Sequence, residues 1–128
     1  MILEKPVHAF LLTVFMLALV GCSKTDSIDE YIDQVIQGGM SVKSDVLNDP
    51  LILDYDVHRE RNGIGIVFSY KVDNDVVAGL EADRAGAKAG FVSDPDVQEI
   101  VSKGVSVRFE YEAVDGAKVD FNITPADY

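Results

Sequence analysis

The chain has 128 residues, a formal net charge of −11 at pH 7 and one cysteine. That length suits a single small domain behind a processed leader. So acidic a chain is a poor nucleic-acid binder, because such binding rests on Lys and Arg neutralising phosphate. Its overall charge also gives it no attraction for an anionic lipid surface, though a basic protein partner is compatible with it.

Residues 1–8 carry the α-amino group, Glu4 and Lys5, and Ala9 through Val20 are apolar except for Thr13. About twelve residues of helix span roughly 18 Å, short of the ~30 Å hydrocarbon core of a bilayer. A charged start and a short apolar core therefore predict a secretory signal rather than a membrane span. The segment closes on Leu19-Val20-Gly21-Cys22, which resembles the lipobox of bacterial lipoproteins. The resemblance implies cleavage before Cys22, a diacylglyceryl thioether on its sulfur, and acylation of the new N-terminus. Sulfur is the nucleophile this chemistry requires, and several acyl chains anchor durably where one binds only marginally. Ser23 follows the cysteine, where the enteric pattern would use Asp for inner-membrane retention, so the implied address is the outer membrane, facing the periplasm. The expected organisation is a signal peptide over 1–21, a lipidated tether over 22–26 and one domain over 27–128. Removing residues 1–21 takes away one Lys and one Glu, so the mature charge is unchanged.

In the domain, Ser27-Ile28-Asp29-Glu30 has the form of a capping box. Ile28, Tyr31, Ile32, Val35 and Ile36 repeat at the spacing of an amphipathic helix, with Gly38-Gly39 as its expected stop. A polar loop and Asp49-Pro50 follow. Leu51, Leu53, Tyr55 and Val57 then alternate with Asp54, Asp56 and His58, the period of a half-buried strand. A hairpin turned at Asn62-Gly63 pairs Val57 with Phe68, Tyr55 with Tyr70 and Leu53 with Val72, so that apolar residues face apolar residues.

Asp73-Asn74-Asp75 predicts a cap leading into a weak helix over about 75–90, in which Gly79, Gly86 and Gly90 each cost about 1 kcal/mol against Ala. Ser93-Asp94-Pro95-Asp96 restarts a helix with a cap and a proline at its first position, and Gly104 ends it. From Val105 to Ala113 apolar and polar residues alternate again. A three-residue loop, Val114-Asp115-Gly116, turns the chain and pairs Tyr111 with Val119, Phe109 with Phe121 and Val107 with Ile123. The predicted order is α-β-β-α-β-β. The fold class is α+β, a four-stranded antiparallel sheet built from two hairpins with helices on one face.

Chemistry is sparse. Asp54, Asp56, His58 and Glu60 share one strand face, where they are candidates for a metal or ligand site. Neighbours there lie about 6.6–7 Å apart, and the plainer reading is a solvated face. Asp73-Asn74-Asp75 lacks the rest of a calcium loop. No serine has a Gly-x-Ser-x-Gly setting, and no glycine loop has a phosphate-cradling pattern. No cofactor and no enzymatic activity are expected.

From about residue 90 to 123, Asp94-Pro95-x-Val97, Ile100-Val101, Gly104, an alternating strand, Gly116 and a final strand resemble the second half of small periplasmic lipoproteins. Among these are the AspS-type pilotins of type II secretion, which share the α-β-β-α-β-β order. This chain departs from them in having no cysteine beyond Cys22 for the disulfide they have in common. The resemblance implies a non-enzymatic, lipid-anchored protein that binds a protein partner in secretion or envelope assembly. The partner element it implies is an amphipathic helix in an apolar groove. Gly79, Leu80 and Gly86, on the glycine-bearing helix, are the candidate contact residues. The alternative function is a small-ligand or metal-ion binder using Asp54, Asp56 and His58.

Overall fold

A computed structural model describes residues 27–61 and 64–128. The expected signal peptide, lipobox and tether and the expected Asn62-Gly63 turn lie outside them. Helix α1 (Ile28–Ser41) and a single-turn α2 (Lys43–Val46) precede strands β1 (Ile52–Arg59) and β2 (Gly65–Val72). Helices α3 (Asn74–Ala82), α4 (Arg84–Ser93) and α5 (Pro95–Ser102) then lead to β3 (Ser106–Ala113) and β4 (Lys118–Ile123). A 3-10 turn over Pro125–Asp127 follows. Setting aside α2, the order is α-β-β-α-α-α-β-β, where the predicted order had a single α between the hairpins.

The four strands form one sheet in the order β1-β2-β3-β4. Both hairpins are antiparallel, but β2 and β3 run parallel, Gly65 beside Ser106 and Val72 beside Ala113. The sheet is therefore mixed, not wholly antiparallel. The cause is the connection: the three helices between Val72 and Ser106 carry the chain back to the end where β2 began, as a parallel crossover requires.

One face of the sheet, with Tyr55, Val57, Phe68, Tyr70, Val107, Phe109, Tyr111, Val119 and Phe121, packs with the helices in a single core. From α1 come Tyr31, Ile32 and Val35; from the crossover helices come Val76, Val77, Leu80, Phe91, Val97 and Ile100.

The β3–β4 register follows the expected pairs, Tyr111 with Val119, Phe109 with Phe121 and Val107 with Ile123. Gly116 stands at φ +92°, the left-handed conformation that a three-residue loop requires at that position. In the first hairpin, Val57–Phe68 and Tyr55–Tyr70 are also paired as expected. Leu53 is not: the register shifts between Ile52 and Asp54, so Ile52 faces Val72 and Leu53 is 54 % exposed. An extra residue in an edge strand pushes one side chain out and twists the strand away.

Two helix expectations also change. The weak 75–90 helix is two helices broken at Asp83, whose carboxylate accepts from Gly86 N at 3.2 Å. Helix α1 does not stop at Gly38-Gly39 but runs on to Ser41. There Gly39 serves close packing: a Cβ on it would lie 2.9 Å from Val57 Cγ2, and Tyr55 donates its hydroxyl hydrogen to Gly39 O at 2.8 Å. Gly39→Ala gains about 1 kcal/mol of helix propensity against about 1–3 kcal/mol of overpacking on a stiff β-branched neighbour. The expected outcome is a lower denaturation midpoint, read by circular dichroism in urea.

Candidate functional site

The corner where α4 meets α5 gathers the carboxyls whose pKa is raised. Asp94 caps α5, its Oδ1 accepting from Asp96 N at 2.7 Å and Val97 N at 3.3 Å. It is buried, and desolvation raises its pKa although both amide bonds pull the other way. Asp96, one residue past the proline, has a buried Oδ2 with no hydrogen-bond partner. Burial, then the charges of Asp94 and Glu99, push its pKa up to about 6.

The C-terminus closes over this corner. Thr124 and Asp127 form a reciprocal capping box around Pro125, and Lys88 pairs with Asp127 at 3.1 Å. The amide of Thr124 and then Lys88 hold the Asp127 carboxyl below its ordinary range. Tyr128 donates its hydroxyl hydrogen to Val92 O at 2.9 Å, yet remains 54 % exposed. Between α5 and this turn lies an open depression of about 300 Å³ lined by Gln98, Val101, Ser102, Gly104, Pro125 and Tyr128. Apolar surface from Val101, Pro125 and Tyr128 beside the polar ends of Gln98 and Ser102 suits an apolar side chain with a polar neighbour. A concave apolar surface beside carboxyls of shifted pKa is where a functional site is first sought.

The raised Asp96 gives a pH prediction. The folded chain binds more protons than the unfolded chain between the ordinary 3.8 and about 6, so this group lowers stability as pH rises through that window. Asp96→Asn removes the charge. Its melting temperature should exceed the parent's at neutral pH, and the gap should close as pH falls below 3.8.

The open face of the sheet is polar and wide. Registered rows run His58–Val67–Arg108–Asn122, Asp56–Ser69–Glu110–Asp120 and Asp54–Lys71–Glu112–Lys118. Val67, fully buried, is the apolar exception in them. Arg108 sits among carboxylates, 3.2 Å from Glu60, 3.0 Å from Glu110 and 3.7 Å from Asp120. Beside it is a depression of about 180 Å³ bordered by Ser69, Glu110, Glu112, Lys118 and Asp120.

The predicted trio does not converge on this face. His58 Nδ1 lies 2.9 Å from Asp56 Oδ2, whereas Asp54 turns to Lys43 at 3.4 Å and accepts from Tyr55 N at 2.8 Å. Among the described residues no group of three or more His, Cys, Asp or Glu could hold a metal ion.

Gly79, Leu80 and Gly86 are likewise not one surface. Gly79 and Leu80 are buried against the core, while Gly86 is exposed in the first turn of the next helix, where Asp83 caps it. The sheet edges are occupied as well. On β1, Tyr55 N bonds Asp54 and Val57 N donates to Met40 Sδ at 3.2 Å; on β4, Arg84 donates to Asp120 O at 3.1 Å. Together with the Leu53 bulge, the first two blunt the β1 edge against an added strand, while Arg84 takes up one carbonyl of the β4 edge.

The α5–C-terminal depression escaped sequence reading because it joins residues 98–104 to 125–128. The one local signal was the pair of acids flanking Pro95, which cap preference alone explains. Cys22 and the rest of the expected lipobox lie outside the described residues. Among the described residues no helix is long and apolar enough to cross a membrane. Compared with known proteins, the chain matches no protein-family model, no curated protein and no solved structure.

Proposed function

We propose that the chain is a lipid-anchored envelope protein, attached through Cys22 to the outer membrane and facing the periplasm, that binds a protein partner without chemical turnover. The single observation behind the binding reading is the depression between α5 and the C-terminal turn, with its half-exposed Tyr128. The β1 edge is blunted against strand addition, and a partner helix offering one apolar side chain is the mode that this concavity suits. A pilotin-like task in secretion or envelope assembly fits that mode.

Site-specific photo-crosslinking in intact cells tests this. A benzophenone residue at Ser102 or Tyr128 should give one discrete adduct with a second protein, and the same residue at Asp120 on the open sheet face should not. Adducts at Asp120 alone would move the binding surface to the sheet, and adducts at none of the three would remove the partner reading.

A further inference from the structure

We propose that the domain stands end-on at the bilayer, with Arg59, Arg61, Ile64 and Lys103 against the lipid headgroups and the opposite, acidic end directed away. The inference rests on the lipid anchor at Cys22.

The start of α1 fixes which end is near. Asp29, in its first turn, pairs with Arg59 at the end of β1, 2.6 Å away, and Lys103 lies over the Tyr31 ring at 5.3 Å. Two independent contacts thus hold the beginning of the domain at the end of the sheet where β1 finishes and β2 and β3 begin. Ile64 belongs to the same end: its carbonyl accepts from Ser106 N at 3.0 Å, and it is 50 % exposed.

Tether length then decides which end lies near the bilayer. From Cys22 to Ser27 the chain reaches at most about 17 Å when extended. The eight-residue strands are about 26 Å long. Bringing the far end to the bilayer would require the tether to run the full length of the sheet, which it cannot do.

Charge favours the same arrangement. At the near end Arg59, Arg61 and Lys103 offset Asp29, Glu30 and Glu60, Arg59 being paired with Asp29, and an exposed isoleucine stands beside them. At the far end stand Asp49, Asp73, Asp75 and Asp115, gathered there by Asp73 N donating to Leu51 O at 3.1 Å and Asp115 N to Asn74 Oδ1 at 3.1 Å. Screening limits a surface charge to about 8–10 Å of reach, so headgroups meet the near end alone. The acyl chains supply the attachment that a net charge of −11 opposes, and the uneven distribution of charge sets the tilt.

The test uses the full lipidated chain in vesicles of phosphatidylcholine and phosphatidylglycerol. With Cys22 acylated, Ile64→Cys or Val114→Cys provides the only free thiol, to be labelled with an environment-sensitive fluorophore. A nitroxide on the lipid headgroup should quench the label at 64 several-fold more than the label at 114. Adding Arg61→Glu and Lys103→Glu should narrow that difference. Equal quenching at the two positions, or stronger quenching at 114, overturns the orientation while leaving the anchor in place. An unchanged difference after charge reversal overturns the headgroup contact of the two cations. Failure of the unlabelled chain to float with vesicles overturns the anchor, and the orientation with it.

Discussion

Phe109→Ala is expected to remove a large share of the domain's stability. The ring is 2 % exposed and stacks between Phe68, at a centroid distance of 5.4 Å, and Phe91, at 4.1 Å; Phe121 packs on Phe91 at 5.5 Å. It is where the sheet centre meets the crossover helices, so no single element can relax to fill the space. Truncating a buried phenylalanine costs about 3–5 kcal/mol, out of the roughly 5–15 kcal/mol that holds a domain together. For a domain of this size the melting temperature should fall by roughly 15–30 °C. Val114→Ala, at a side chain 69 % exposed, should change it little. Thermal melts of the mature chain followed by circular dichroism check both. A Phe109→Ala variant melting within a few degrees of the parent would mean that the helices do not press on the sheet as described.

How much of this was legible depended on whether the controlling interaction was local. The second hairpin was readable because Gly116 and the alternation from Val107 to Ala113 constrain one loop from two sides. The first was readable near its middle and failed at Leu53. There Ile52 and Leu53 are equally apolar, and the bulge that selects between them depends on packing from α1 and α2. Gly39 carried a stop signal in sequence and a packing role in space, and only the position of Val57 separates the two. The parallel β2–β3 pairing was not readable, since it depends on where the helices return the chain rather than on any strand's own pattern. The candidate site is the extreme case. Gly104 read only as a helix stop, and Gln98, Ser102, Pro125 and Tyr128 carried no site signal. Only tertiary closure, through the Tyr128 hydroxyl on Val92 O, makes them one surface.

Cys22→Ala should have the other large effect, on location rather than stability. One acyl chain binds a bilayer only marginally, whereas several, at about 0.8 kcal/mol per buried CH₂, hold durably. Without the thiol no diacylglyceryl group can be attached, and a net charge of −11 provides no substitute attraction. The protein should therefore pass from the membrane pellet to the soluble fraction. Its melting temperature should be unchanged, because among the described residues the core is built from residues 28 onward. Crosslinking through Ser102 discriminates further. A partner held at the same bilayer meets an anchored domain at a high effective concentration, so the adduct should weaken when the anchor is lost. An adduct undiminished in the soluble variant would mean that the partner meets the domain away from the membrane. A Cys22→Ala protein that still sediments with membranes would refute the anchor outright.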